Sequence, residues 1–125
     1  MPSAQVLVIE DDCGVLEVVS ALLRELGHTV RTARSAVDGI ILMSPTTPDV
    51  VLLDLAMPGI SGLDALPHFR HHYPDVPIIV VTGVLEADTL ERARAEGAFD
   101  VLSKPFTLAG LAEMLDRATQ RRSRP

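Results

Sequence analysis

With 125 residues, 47% of them hydrophobic and 22% charged, the chain is long enough to bury one core without staples and too apolar for disorder. A formal net charge of −6 argues against a nucleic-acid-binding surface, and no apolar stretch approaches the roughly 20 residues that cross a bilayer. The single Cys13 excludes an internal disulfide, and Met-Pro-Ser-Ala-Gln lacks the charged region and apolar core of a signal peptide, so one cytoplasmic domain over residues 1–125 is expected.

Residues 5–9 are short, β-branched and mostly apolar, the pattern of a strand covered on both faces. Asp12 offers a carboxylate to the free amides of a following helix. In that helix Val15, Leu16, Val18, Val19, Leu22, Leu23 and Leu26 share one side before Gly27 ends it. The stripe is about 160° wide, broader than core packing alone requires. Residues 28–33 predict a weaker, alternating strand. Ser35 then caps a short helix through Met43, which stops at Ser44-Pro45-Thr46-Thr47-Pro48.

Residues 49–54 are the most strand-like of the chain, and Met57-Pro58-Gly59 is turn chemistry. A helix over 62–72 follows, with Pro67 expected to kink its first turns. Residues 77–82 predict a strand, 86–96 a polar helix ended by Gly97, and 99–103 the last strand. The last helix runs from 108 to about 122, where basic residues suit the dipole. Strand–helix repeated five times, with connections too long for hairpins, predicts an α/β fold: a doubly wound, five-stranded parallel sheet with five helices.

Ligands of such sheets bind off the carboxyl ends of the strands. Those ends carry Glu10, Asp11 and Asp12, then Asp54, then Thr82 and Gly83, and finally Lys104. Lys104 is the only lysine, the rest of the basic side chains being arginine, and a compact ammonium at a strand end suits a small anion. Three carboxylates about 4 Å apart repel by on the order of 4 kcal/mol per pair at an effective dielectric near 20. Lys104 offsets one charge. A divalent ion offsets two and attracts all three acids, and oxygen ligands open to water favour Mg²⁺, or Mn²⁺ in its place. Metal, lysine and hydroxyl beside one carboxylate are equipment for a phosphoryl group, whose oxygens they hold while the carboxylate attacks phosphorus.

The run Val-Leu-Val-Ile-Glu10-Asp11-Asp12 is followed by Leu53-Asp54-Leu-Ala-Met-Pro58-Gly-Ile-Ser-Gly62. Further on come Val81-Thr82-Gly83 and Gly97-Ala-Phe-Asp-Val-Leu-Ser-Lys104-Pro105-Phe106. In order and spacing, over nearly the whole chain, these resemble the receiver domain of bacterial two-component response regulators, the CheY-like superfamily. The resemblance implies a flavodoxin-like (βα)5 fold and a phosphoryl group taken by Asp54 from a histidine kinase or histidine phosphotransfer protein. It implies Mg²⁺ held by Glu10, Asp11, Asp54 and the backbone carbonyl of Ala56, with Thr82 and Lys104 on the phosphoryl oxygens. A cis peptide before Pro105 is implied as well. Such a protein is a switch acting on an output domain or partner, not an enzyme with an external substrate, and touches neither nucleic acid nor membrane itself.

Receivers commonly carry tyrosine or phenylalanine where this chain has Val101. The switch residues here are Thr82, Gly83 and Val101, and without an aromatic the expectation is that signalling relies on movement of residues 83–88. Phe99, two residues before Val101, is expected on the same sheet face. In the family the first helix docks the kinase. Its wide stripe is therefore either part of that patch, through Val15, Val18 or Leu22, or simple extra core. Small side chains at Ala56 and Val84 leave water access to the site open by the same analogy.

Three rivals differ in class. A haloacid-dehalogenase-type phosphatase needs an acid two residues after its nucleophile, where this chain has Ala56, and a flavodoxin-like electron carrier needs a first loop that welcomes phosphate, which Glu10-Asp11-Asp12 repels. The third is a receiver-like interaction module that is never phosphorylated. Asp12 reads as a helix cap rather than a metal ligand. His68 and His72 have the spacing to chelate a metal, but with no third matching ligand evident the trio with His71 reads as a solvated helix end. Arg117, Arg121, Arg122 and Arg124 read as a helix end and tail, or a linker starting near residue 120, and Met1 favours an N-terminal or solitary domain.

Overall fold

A computed structural model describes residues 3–57, 59, 61–83 and 86–123, the side chains of 121–123 excepted. Pro58, Val84 and Arg124, and the side chains of Arg121 and Arg122, lie outside the described residues. Five strands and five helices alternate: β1 (Gln5–Ile9), α1 (Cys13–Glu25), β2 (Thr29–Ala33), α2 (Ala36–Met43), β3 (Val50–Asp54), α3 (Gly62–His72), β4 (Ile78–Thr82), α4 (Ala87–Ala95), β5 (Asp100–Ser103) and α5 (Leu108–Ser123). All pairs are parallel, in the order β2-β1-β3-β4-β5. This is the doubly wound (βα)5 fold that the strand–helix alternation predicts.

The continuous apolar runs follow from burial on both faces. Alternate residues of the central strands point to opposite sides. Leu7, Ile9, Val51, Leu53, Ile78 and Val80 join one core with Met43 of α2, Leu66 and Phe69 of α3 and Ala93 of α4. Val6, Val8, Val50, Leu52, Ile79 and Val81 join the other with Val19 and Leu23 of α1 and Leu111, Leu115 and Ala118 of α5. Each wholly buried leucine, isoleucine or phenylalanine contributes about 1.5–3 kcal/mol, so these two layers hold the strand ends in place.

Side-chain caps set the helix starts. Asp12 accepts from the Val15 N–H at 3.1 Å, Ser35 from Asp38 at 3.1 Å, Ser61 from Asp64 at 3.1 Å and Thr107 from Gly110 at 2.9 Å. Asp12 is thus the cap it was expected to be. Pro67 lies inside α3. Gly27 and Gly97 take positive φ just past their helices, as terminators do.

Phe99 corrects the sequence expectation. It packs against the core under α1 and α5, whereas Val101 packs against the opposite one. The reason is local: β5 begins only at Asp100, so Phe99 sits in a bend and the two-residue alternation does not extend back to it.

Candidate functional site

Each acid sits where a buried strand runs out. Glu10 follows β1 directly and is 4% exposed; Asp54 closes β3 and is 6% exposed; Asp11 is half-buried. Local amides fix two of them, since Glu10 Oε2 accepts from the Asp12 N–H at 3.3 Å and Asp54 Oδ1 from the Ala56 N–H at 3.2 Å. One oxygen each from Glu10, Asp11 and Asp54 lies within 4.8 Å of the other two. Residues distant in the chain therefore form one carboxylate pocket, as expected.

Lys104 closes the pocket from β5. Its Nζ lies 2.6 Å from Glu10 Oε1 and 3.6 Å from Asp54 Oδ2. The Lys104–Pro105 peptide is cis, and the Lys104 N–H donates to the Thr82 carbonyl at 2.9 Å, which ties the end of β5 to the end of β4. Thr82 itself is wholly buried, one step beyond Val81, the β4 partner of Asp54. Gly83 follows it, exposed.

The floor under the acids is apolar. A void of about 10 Å³ there is lined by Val8, Ile9, Val19, Leu52 and Val81 as well as by Glu10 and Asp54. Burial, reinforced by the neighbouring Asp54 carboxyl, raises the Glu10 pKa above the ordinary carboxylate value, although Lys104 and the Asp12 N–H pull the other way. For Lys104 burial opposes the charge, but hydrogen bonding and attraction from Glu10 and Asp54 outweigh it and the pKa is raised. The two directions agree on one point: there is more negative charge than one ammonium offsets. A hard dication with oxygen ligands fits that excess.

Two supports of the pocket carry no role in the sequence reading. A Cβ on Gly62, at the start of α3, would lie 1.9 Å from the Asp54 carbonyl oxygen, so only glycine lets α3 start against this backbone. Arg34 donates to the Asp11 carbonyl at 3.4 Å from the β2–α2 turn. Gly62 stands in a recognisable turn sequence, which was a usable signal; nothing in the sequence marks Arg34. Val101 is half-buried on β5, opposite Val80, and lies in the core rather than among the acids. Of Val15, Val18 and Leu22 on α1, the first and last are partly buried against the core, and Val18 alone is freely exposed, at 60%.

The comparisons with known proteins agree with this geometry. Residues 6–116 match the family model described as "Response regulator receiver domain". The chain belongs to that family. The receiver is 33% identical over 90% of its length to the DNA-binding transcriptional regulator NtrC of Escherichia coli K12. It is 34% identical over its whole length to NtrC of Azospirillum brasilense. It spans only about a quarter of these two relatives, 24% and 26% of their lengths. Among solved structures, a response regulator receiver domain protein from Clostridium thermocellum superposes with a TM-score of 0.89 at 34% identity, covering 95% of this chain and 96% of that one. No described helix is long and apolar enough to cross a membrane.

Proposed function

We propose that this receiver is a phosphoacceptor switch in which Asp54 takes a phosphoryl group from a phosphohistidine, on a histidine kinase or a histidine phosphotransfer protein. The observation that carries the proposal is the convergence of Glu10, Asp11 and Asp54 within 4.8 Å, with the Lys104 ammonium 3.6 Å from Asp54. An Asp54 carboxylate oxygen attacks phosphorus as the bond from phosphorus to the donor imidazole nitrogen breaks. That nitrogen keeps the electron pair, and the product is an acyl phosphate. Glu10, Asp11, Asp54 and the Ala56 carbonyl would hold Mg²⁺, or Mn²⁺ in its place. Bound there, the ion supplies charge stabilisation to the transferring phosphoryl oxygens.

Lys104 has a second task in this reading. Released from Glu10, its ammonium binds a phosphoryl oxygen, and the Thr82 hydroxyl binds another. Modification adds about two negative charges. The response of Thr82, Gly83 and the segment after them biases a two-state equilibrium read by an output domain or partner. The protein turns over no external metabolite, and it works in the cytoplasm, where the exposed Cys13 stays reduced. Val18 with its α1 neighbours Val15 and Leu22 is the proposed contact for the kinase. Val101, lacking an aromatic ring to swing, favours a second reading: a receiver-like interaction module that works without phosphorylation.

One experiment separates the two. With Mg²⁺ present, a small phosphodonor such as acetyl phosphate should label the wild-type chain and leave Asp54→Asn unlabelled. Labelling of that variant at normal stoichiometry moves the acceptor elsewhere, and an unlabelled wild-type chain supports the module.

A further inference from the structure

Phosphoryl chemistry at the carboxyl edge of the sheet leaves a second group of ligating side chains unused. His68, His71 and His72 occupy the last two turns of α3. Helix α3 runs antiparallel to the strands, so its end lies about a strand's length from the acids, roughly 13 Å. His68 and His72 are one turn apart, and their ring centroids stand 4.3 Å from each other. The ring of His71 stands edge-on to that of His72 at 4.9 Å.

The surroundings suit a cation. His68 is partly buried, its ring edge-on to the fully buried Phe69 at 6.2 Å, which anchors one ligand while His71 and His72 are exposed. The carbonyls of the last turn of α3 present the negative end of the helix dipole. Arg70, the cation on the same stretch, is engaged elsewhere: its guanidinium donates to the Pro74 carbonyl at 2.8 Å and its stem lies over Gly97.

We propose that His68 and His72, one helical turn apart, form a two-donor binding site for a borderline divalent transition ion, Zn²⁺ being the type case, with water completing its shell and His71 adding no more than a secondary contact. Imidazole nitrogen suits this class of ion, whereas the carboxylate pocket suits Mg²⁺. The two edges of the sheet thus select different metals. Chelation across one helical turn stabilises the end of α3 where it enters the 73–77 connection, and binding to the folded chain alone raises the unfolding temperature.

Calorimetric titration of the full chain with Zn²⁺, in saturating Mg²⁺ to fill the carboxylate pocket, tests this. The expected result is single-site binding at about pH 7.5 that protons displace at about pH 5.5. His72→Gln and His68→Gln should each weaken it by about tenfold or more, His71→Gln by less, and Asp54→Asn should leave it intact. His72 is exposed, so its replacement keeps the test sound if His68→Gln folds poorly. No saturable Zn²⁺ binding, binding indifferent to His72→Gln, or binding lost in Asp54→Asn would each overturn the proposal.

Discussion

Glu10 and Asp54 at the carboxyl edge of the sheet are as deeply buried as His28 at the amino edge: 4%, 6% and 6% exposed. Their physics differs. The two acids share one ammonium and keep a surplus of negative charge, which an arriving cation can neutralise. His28 is neutral. Its Nδ1 accepts from the Ala4 N–H at 3.0 Å, its Nε2 is buried without a partner, and burial lowers its pKa despite the nearby Asp116. Unbalanced charge at one edge invites a ligand, whereas the imidazole at the other can take only a proton, at Nδ1 and at the expense of its bond from the Ala4 N–H. The contrast separates polar burial kept for chemistry from polar burial that merely fastens β1 to the start of β2.

The largest test of the contrast uses glycines near either edge. A Cβ at Gly62 meets backbone at 1.9 Å, while a Cβ at Gly97 meets the Arg70 side chain at 2.5 Å, which can give way. Gly62→Ala should lower the unfolding free energy by about 2–3 kcal/mol, and Gly97→Ala by about 1 kcal/mol through its positive φ. Urea unfolding measures both, and equal losses would mean that the start of α3 yields as readily as a side chain.

Next in size is the effect of charge. Asp54→Asn should stabilise the metal-free protein by about 1 kcal/mol and abolish any rise in unfolding temperature on adding Mg²⁺. A destabilised Asp54→Asn would show that Lys104 already balances the pocket. The smallest effect is at the other edge. Below about pH 6.5 the unfolded chain binds a proton that folded His28 resists, so stability should fall as pH drops from there through the folded pKa. His28→Gln should narrow the difference between urea midpoints at about pH 7.5 and 5.5. An unchanged difference assigns the proton to His68, whose pKa is also lowered.

Much of this was legible in the chain because burial writes itself into local pattern. The central strands lie within a residue of their apolar runs, and Asp12 and Ser35 announce their helices. Ser61 and Thr107 cap just as well, but Ser61 comes straight after the turn chemistry of residues 57–59, which draws attention away from it as a helix start. Phe99 misleads because alternation holds only inside a strand, and β5 starts one residue later. The acid pocket is legible from strand ends alone. That Lys104 prefers Glu10 to Asp54, 2.6 against 3.6 Å, is not, since reach across the sheet depends on twist and rotamer rather than on order in the chain.

Glu10 and Lys104 are 94 positions apart. Two strands of the sheet, β3 and β4, stand between those that carry them. While the chain is being synthesised, Glu10, Asp11 and Asp54 all exist before Lys104, the ammonium that pairs with Glu10 and Asp54, has been made. A nascent or truncated form therefore lacks that ammonium, and the pairing of Glu10 with Lys104 becomes a report that the fifth strand has been laid down.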